Sequence, residues 1–229
     1  MSHSVPVLTI DGPSGVGKGT VARVMAQELG WHLLDSGALY RILALAAQGK
    51  GLDLADGERV AALAAQLDIR FESDTAGNEQ ILVEGAEISA AVRDEATGGL
   101  ASIIAVQPAV RAALLQRQHD FAVTPGLVAD GRDMGTVVFP QADLKLFMDA
   151  SAEERARRRY RQLSDLGQDA NIDRLCREIR DRDARDRNRA EAPLRPADDA
   201  ICIDTTELSV ESVLQQVRDL LEQRGLKPS

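Results

Sequence analysis

Short runs of apolar, mostly β-branched residues alternate along the chain with longer stretches in which apolar residues recur every three or four positions. The short runs predict buried strands, and the longer stretches predict amphipathic helices. Strands that alternate with helices predict βαβ units, so the fold class is α/β with a parallel sheet of about five strands flanked by helices. The predicted core strands are VPVLTID, WHLLDSG, GLVAD, DLKLFMD and AICID.

One region, from about residue 67 to residue 99, departs from this alternation. The runs LDIRFES and QILVEG flank DTAGNE, residues 74–79, which is rich in turn-forming residues. Two such runs around a short turn predict an antiparallel hairpin. The segment ISAAVRDEATGGLASIIA that follows has a helical pattern. We interpret the region as a small β-containing insert on the parallel body.

The stretch from Ser151 to Pro196 is helical in pattern and unusually rich in arginine. Between Arg155 and Arg189 it holds twelve arginines against seven acidic residues, although the whole chain has a net charge of −9. A helix break is predicted near residues 167–171 and a helix stop at Pro193. The charge density predicts an exposed segment rather than core. Guanidinium groups bind phosphate through paired hydrogen bonds, so two helical pieces joined by a hinge predict a lid that closes over phosphates.

Composition and charge argue against several classes of protein. An acidic chain lacks the basic footprint of a general nucleic-acid binder. The longest apolar runs fall well short of the roughly 18 residues that a membrane span needs, and the N-terminus lacks the pattern of a secretory signal. Cys176 and Cys202 are far apart and form no CxxC motif, so we expect buried or inert thiols in a reducing cytosol.

The segment GPSGVGKGT lies between the first predicted strand and a helical stretch that stops at Gly30. Backbone amides of such a loop point at phosphate oxygens, the following helix adds its positive end, and Lys18 supplies a mobile charge. Its glycines are expected to permit positive φ angles and a close backbone approach. The candidate phosphate-binding residues in this loop are Gly12, Pro13, Ser14, Gly15, Val16, Gly17, Lys18, Gly19 and Thr20.

The order of residues after Lys18 differs from the general phosphate-loop motif. That motif places Ser or Thr directly after the lysine, where its hydroxyl binds the metal. Here Gly19 intervenes and the hydroxyl belongs to Thr20. Either Ser14 or Thr20 can reach a phosphate or the metal, and the sequence leaves the direct metal ligands open.

LLDSGALYR follows the second predicted strand, at the carboxyl edge where α/β sheets bind ligands. In this motif Ser36 and Gly37 can open a helix with free amides, Tyr40 can stack on a base, and Arg41 can meet a phosphate. A capped helix without a ligand fits the same residues.

VADGRDMGTVVFP contains a strand-ending acid that is followed, after Gly131, by two charged residues. Phosphate-transfer enzymes often place an acid such as Asp130 at this position to organise Mg²⁺ and its water. Arg132 can bind a second phosphate, and Asp133 can accept a hydrogen bond from an exocyclic amine, as acids do when they read cytosine N4. A plain surface turn is the alternative.

In IRDRDARDRNR, the residues Arg182, Asp186 and Arg189 are spaced i, i+4 and i+7. This spacing predicts that the three side chains share one helical face. A solvated helix with ion pairs is the alternative interpretation.

Taken together, GPSGVGKGT, LLDSGALYR, ADGRDMGTVVFP and RDRDARDRNRAEAPL resemble the bacterial cytidylate kinases, which are nucleoside monophosphate kinases of the P-loop class. The resemblance extends from about Val5 to the C-terminal helix and includes the Gly after the lysine and the hairpin insert. It implies one kinase domain with three parts. These are a core (about 1–36, 100–150 and 191–229), a monophosphate-binding region with the insert (about 37–99) and a lid (about 151–190).

The resemblance also implies the activity, which is transfer of the γ-phosphoryl group of ATP to CMP or dCMP with Mg²⁺. A monomeric cytoplasmic enzyme of pyrimidine metabolism, without a membrane or nucleic-acid partner, is expected. Catalysis would depend on Lys18, Asp130, Arg132 and Arg189, and the lid would contribute Arg155, Arg158 and Arg159, with Arg158 on the ATP side. The CMP side would comprise Ser36, Tyr40, Arg41, Ser102, Arg111, Arg132, Asp133, Arg182, Asp186 and Arg189.

Within that set, the family pattern assigns each residue a part of CMP. Cytosine would be read by Ser102, Arg111 and Asp133. The sugar would be met by Arg182 and Asp186. The acceptor phosphate would be held by Arg41, Arg132 and Arg189.

Three other functions share some of these features. Another nucleotide or small-molecule kinase, acting on AMP, UMP or shikimate, would have the same loop. A GTP-binding switch would too, but the chain contains no NKxD-type guanine reader. A catalytically silent ATP-binding module is disfavoured by the intact Lys18 and the many arginines.

Overall fold

Strands and helices alternate through most of the chain, as the sequence predicts. The computed structural model describes residues 5–73, 79–165 and 167–227. Its strands are β1 (Val7–Asp11), β2 (His32–Asp35), β3 (Ile69–Ser73), β4 (Glu79–Val83), β5 (Ala86–Glu87), β6 (Leu127–Gly131), β7 (Leu144–Asp149) and β8 (Ile201–Asp204). Its helices are α1 (Lys18–Leu29), α2 (Ser36–Gly49), α3 (Gly57–Ala64), α4 (Ser89–Arg93), α5 (Glu95–Ile104), α6 (Pro108–His119), α7 (Ala152–Asp165), α8 (Ile172–Asn188) and α9 (Val210–Gln223), with a π-helical turn at Met134–Val138.

The five predicted core strands form one sheet in the order β2-β6-β1-β7-β8. All four pairings are parallel, which confirms the predicted α/β class. The strands therefore present their carboxyl ends at the same edge. Asp35 at the end of β2 lies level with Asp130 in β6, and Asp11 at the end of β1 lies level with Gly131. This edge collects carboxylates around the loop that follows the central strand β1.

The sheet belongs to one of two compact units, which comprises residues 5–35 and 119–227. Apolar side chains of β1, such as Leu8 and Ile10, pack in one buried cluster with Met25 of α1 and Val217 of α9. Helix α1 ends where the sequence predicts, because Gly30 adopts the left-handed conformation that terminates a helix. Because α1 packs on β1 in this cluster, the first residues of α1 are held next to the glycine loop that precedes them.

Ser36–Gln118 form the second unit, which has a core of its own. The predicted hairpin is confirmed as the antiparallel pair β3 and β4, and the sequence missed the short third strand β5. Most of the predicted turn, residues 74–78, lies outside the described residues. The helical stretch that follows is split at Asp94, whose side chain accepts a hydrogen bond from the Ala96 amide and so caps α5. The proposed division into core, monophosphate-binding region and lid stays a prediction.

The arginine-rich segment forms two helices, α7 and α8, and the predicted break at 167–171 is confirmed. The predicted helix stop at Pro193 is wrong, because α8 already ends at Asn188 and Arg189 has an extended backbone. The chain turns back there, and the Leu194 amide donates to the carbonyl of Asp186. Much of the segment is exposed, as its charge density predicts, but not all of its charged residues are. Arg155, Asp183 and Asp186 are buried, because ion pairs within the fold compensate their charges.

The two cysteines and the apolar helices are the features on which expectations from composition rested. Both cysteines are free thiols, with Cys176 half-buried and Cys202 exposed. Of the two expected alternatives, burial does not hold for Cys202, and its inertness stays a prediction. Among the described residues, no single helix has the length and apolarity to cross a membrane. Only the pair Ala96–Ile104 and Pro108–His119, bent by 104°, meets those two criteria jointly.

Candidate active site

The glycine loop between β1 and α1 has the backbone that phosphate binding requires. Gly12, Gly15 and Gly17 all have positive φ angles, which confirms the predicted use of glycine at these three positions. At Gly12 a Cβ atom would lie 2.0 Å from the carbonyl oxygen of Met148, so the loop backbone passes directly against the end of β7. At Gly17, which caps α1, no atom lies within 4 Å of the position of a Cβ.

Gly19 differs from the other loop glycines. It lies in the first turn of α1 and has no positive φ angle, so that expectation is wrong at this position. A Cβ atom there would lie 3.4 Å from Oδ2 of Asp130. At this distance a methyl group would make a close but acceptable contact with the carboxylate, so the space around residue 19 does not by itself account for the GKGT order. Ser14 is half-buried and Thr20 is exposed, and the choice between them as metal or phosphate ligand stays open.

Lys18 lies at the base of the loop, where its charge is enclosed by oxygen atoms. Its Nζ donates to the carbonyl of Pro13 at 2.9 Å and lies 3.9 Å from Oδ1 of Asp130. The two side chains are only 6% and 13% exposed. Burial lowers the pKa of the Lys18 ammonium and raises the pKa of the Asp130 carboxyl, and the attraction between the two groups opposes both shifts. The structure thus brings together two of the predicted catalytic residues.

Asp35 is a charged neighbour of this pair that the sequence analysis did not select. It ends β2 level with Asp130, and its charge raises the pKa of Asp130. The sequence contains a usable signal, because an acid ends this strand just as Asp130 follows the apolar run of β6. Parallel neighbours bring such residues to one edge. The site therefore has two adjacent carboxylates beside one lysine.

Asp11, also absent from the predicted site, connects β1 to the turn after β6. Its Oδ1 and Oδ2 accept hydrogen bonds from the amides of Met134 and Gly135, both at 2.8 Å. These bonds span more than 120 residues of sequence. They hold the π-helical turn whose preceding residue is Asp133. Asp11 therefore holds the residues directly after the Arg132–Asp133 segment and so fixes where that segment ends.

Replacing Asp11 by Asn should change how stability depends on pH. Burial raises the pKa of Asp11 from its ordinary 3.8 to about 7, although the two amides lower it. Between these values the unfolded chain releases the proton and the folded chain keeps it, so the free energy of unfolding falls as pH rises. We expect the wild type to lose about 1.4 kcal/mol per pH unit relative to Asp11→Asn across this window.

Urea denaturation of both proteins at pH 5, 6, 7 and 8 measures this difference. The loss should level off above pH 7. A stability difference between the two proteins that stays constant from pH 5 to pH 8, or a wild type that gains stability relative to Asp11→Asn as pH rises, would contradict the assignment.

Two ion pairs cross-connect the turn after β6 and the end of α8. Arg132 Nε donates to Oδ2 of Asp186 at 3.2 Å, and Nη2 of Arg189 lies 3.7 Å from Oδ1 of Asp133. Each segment thus contributes one cation and one anion. The predicted single helical face is wrong for Arg189, which lies beyond the end of α8. Arg182 lies in α8, one turn before Asp186.

Two of the three predicted lid arginines on α7 contact the backbone of the glycine loop. Arg155 Nη1 donates to the Ser14 carbonyl at 3.1 Å, and Arg158 Nη1 is 3.4 Å from the Val16 carbonyl. Arg158 Nη1 also donates to the Thr205 hydroxyl at 3.2 Å. Arg159 Nη1 donates to Oε1 of Gln162 on the same helix, at 3.4 Å. The first turns of α7 are therefore anchored on the phosphate loop.

The remaining predicted residues belong to the Ser36–Gln118 unit. Ser36 Oγ donates to Oε1 of Gln118 at 2.8 Å, at the start of α2. Arg111 Nη1 donates to the Tyr40 hydroxyl at 3.4 Å, which brings these two predicted residues together.

The other two predicted residues of this unit bond to backbone carbonyls. Arg41 Nη1 donates to the carbonyls of Val92 and Asp94, at 2.9 and 3.3 Å. Ser102 Oγ donates to the Gly98 carbonyl within α5, at 3.0 Å.

Comparison with known proteins gives a consistent result along the chain. The family model described as cytidylate kinase matches residues 8–223. The cytidylate kinase of Pseudomonas putida strain W619 is 59% identical over 227 residues, which cover 99% of this chain and 100% of the relative. The cytidylate kinase of Colwellia psychrerythraea strain 34H is 55% identical over 217 residues, covering 95% of this chain and 96% of the relative.

Proposed function

Because the chain belongs to the cytidylate kinase family, we propose that it transfers the γ-phosphoryl group of ATP to CMP or dCMP, forming ADP and CDP or dCDP. The 59% identity to a cytidylate kinase over 99% of the chain supports the acceptor, as does the family match over residues 8–223. The observation that carries the proposed chemistry is the position of the Lys18 ammonium group, which is buried against the glycine loop and lies 3.9 Å from Asp130. We expect a monomeric enzyme in the cytoplasm.

The reaction needs charge stabilisation and alignment more than acid–base chemistry. An oxygen of the CMP phosphate is already anionic, so it attacks the γ-phosphorus while the bond to the β–γ bridging oxygen breaks and ADP leaves. No proton has to be removed from the nucleophile. The amides of residues 12–20 and the Lys18 ammonium would hold the donor phosphates, and Arg158 would contribute from α7. Enclosure by the loop strengthens these interactions, because little water competes for them.

Acceptor binding is assigned to the residues that the family pattern selects. We propose that Asp133, Ser102 and Arg111 read cytosine and that Arg182 and Asp186 meet the sugar. Arg41, Arg132 and Arg189 would hold the acceptor phosphate, with Ser36 and Tyr40 beside it. The pairs Arg132–Asp186 and Arg189–Asp133 support part of this assignment, because they hold charged side chains of two distant segments close together.

The residues at the sheet edge suit Mg²⁺. No group of three or more His, Cys, Asp or Glu side chains within the described residues forms a metal site by itself. Mg²⁺ typically takes one or two carboxylates and fills its shell with water and substrate phosphates. The adjacent carboxylates of Asp130 and Asp35 fit that donor set, and we propose that they would hold the ion, directly or through water. When bound, Mg²⁺ would neutralise charge on the β- and γ-phosphate oxygens.

A coupled assay of ADP release tests the proposed acceptor. With ATP and Mg²⁺, we expect kcat/KM for CMP or dCMP to exceed that for AMP or shikimate by at least about 100-fold, because polar groups built for one base are left unpaired by another. The Lys18→Ala protein, purified in parallel, controls for contaminating kinases. A strong preference for AMP would contradict the cytosine assignment, and ATP binding without turnover of any acceptor would favour a silent binding module.

A further inference from the structure

Arg155 lies in the first turn of α7, near the start of the arginine-rich segment, and its guanidinium group is buried. The residue is 2% exposed. Nε donates to the Ala150 carbonyl at 3.0 Å, and Nη1 donates to the Ser14 carbonyl at 3.1 Å and to Oδ1 of Asp183 at 3.0 Å. Nη2 donates to the other carboxylate oxygen of Asp183. These four hydrogen bonds use most of the five N–H donors that a guanidinium has.

The aliphatic part of Arg155 lies against the same loop that its head group contacts. A Cβ atom on Gly15 would be 3.5 Å from Cβ and 3.7 Å from Cγ of Arg155. The side chain therefore lies against one side of Gly15, which is itself exposed, while its head group holds the carbonyl of Ser14. Contacts at two successive residues fix the conformation of the loop where its amides must face phosphate.

Asp183 completes the arrangement from the second helix. It lies on α8 and is 7% exposed, whereas its neighbour Asp181 is exposed. A carboxylate is rarely buried unless it is paired, and here both of its oxygens accept from Arg155. These contacts form a series. The ion pair connects α8 to α7, and the hydrogen bond from Arg155 to the Ser14 carbonyl connects α7 to the phosphate loop.

We propose that Arg155 and Asp183 are positioning residues for the ATP site, in that the buried pair holds the Ser14 carbonyl and so keeps the loop amides directed at the donor phosphates. This inference rests on the proposed function. It differs from the family-based expectation for Arg155, because its head group is directed to protein oxygens rather than to a nucleotide. Both α7 and α8 then influence the conformation of the loop, because the Asp183 carboxylate on α8 holds the Arg155 head group that contacts the loop.

The primary test is Asp183→Asn, which keeps the shape of the side chain and removes its charge. Binding of a non-hydrolysable ATP analogue, measured by calorimetry without acceptor, should weaken about 10-fold, because a misplaced loop loses roughly one charge-assisted hydrogen bond. KM for ATP should rise to a similar extent, while KM for CMP stays within about twofold of the wild type. Asp183→Glu should recover part of the ATP affinity. Asp181→Asn, on the exposed side of the same helix, is the matched control and should bind the analogue like the wild type.

A double variant separates positioning from stability. Replacing a buried ion pair by apolar residues of similar size is often neutral for stability, so Arg155→Met with Asp183→Leu should regain the thermal stability that Asp183→Asn loses. The Ser14 carbonyl has lost its donor in this protein, because Arg155 itself is replaced. We therefore expect the ATP affinity of the double variant to stay about 10-fold low.

Two results would overturn the proposal. One is wild-type ATP affinity in the double variant once its stability has recovered. The other is an equal rise in KM for ATP and for CMP in Asp183→Asn. Failure of the proposed function would look different, since the wild type would then bind the ATP analogue but give no turnover with CMP.

Discussion

A Lys18→Ala substitution is expected to reduce kcat by about 10³-fold while the protein stays folded. The ammonium group is the charge that would follow the transferring phosphoryl group, and a loss of this size corresponds to about 4 kcal/mol of transition-state stabilisation. Lys18 is held by the Pro13 carbonyl and lies 3.9 Å from Asp130. Because burial already raises the pKa of Asp130, that carboxyl can take up a proton when its partner is removed. The free energy of unfolding should therefore fall by only about 1–2 kcal/mol.

Steady-state kinetics with CMP and urea denaturation, performed on the same preparation, measure the two effects. Lys50→Ala is the control, because Lys50 forms an exposed pair with Glu84 in which both side chains are about half exposed, and exposed pairs contribute little. Near-normal turnover in Lys18→Ala would exclude the phosphate-binding role of the loop. A collapse of stability comparable to the loss of rate would mean that the lysine is mainly structural.

A Gly12→Ala substitution is expected to destroy the ATP site and destabilise the fold together. The added methyl would lie 2.0 Å from the Met148 carbonyl oxygen, and the φ angle of +148° is one that side chains rarely adopt. Either the loop or the end of β7 must move. We expect the free energy of unfolding to fall by at least about 3 kcal/mol and binding of the ATP analogue to become undetectable.

Gly51→Ala provides the matched comparison for this variant. Gly51 also has a positive φ angle, of +67°, but no atom lies within 4 Å of the position of a Cβ. It should cost only about 1 kcal/mol, the price of the backbone conformation alone. Similar losses in the two variants would show that strain at φ, rather than the contact with β7, determines the importance of Gly12.

The order of elements could be predicted because it depends on local patterns. The apolar runs that became β1, β6 and β7 are buried on both faces of a parallel sheet, and such strands read as nearly continuous hydrophobic segments. Gly30 marked the end of α1 for an equally local reason, since it takes the left-handed conformation there. The short strand β5 was missed because two residues carry no periodicity. The end of α8 was misplaced because a turn back onto Asp186, rather than Pro193, stops the helix.

The candidate site was predictable to the extent that single motifs carry it. Four of the predicted residues lie at the end of a predicted strand or soon after it, namely Lys18, Asp130, Arg132 and Asp133. Each has a charged or backbone partner in the structure, either at the glycine loop or near the end of α8. Asp35 and Asp11 were overlooked, because their importance comes from the register of neighbouring strands and from amides more than 120 residues away. Burial of Asp183 was also hidden, because the surrounding sequence is almost entirely charged.

By itself the amino-acid sequence determined the α/β class, the glycine loop with its lysine, and the family to which the motifs belong, since each follows from residue types within one short segment. Only the tertiary structure decided what individual charges do. It placed Lys18 beside Asp130, directed the Arg155 head group to the Ser14 carbonyl, and paired that arginine with Asp183. The physical reason is that the cost of burying a charge depends on partners far away in the chain, which no local pattern records.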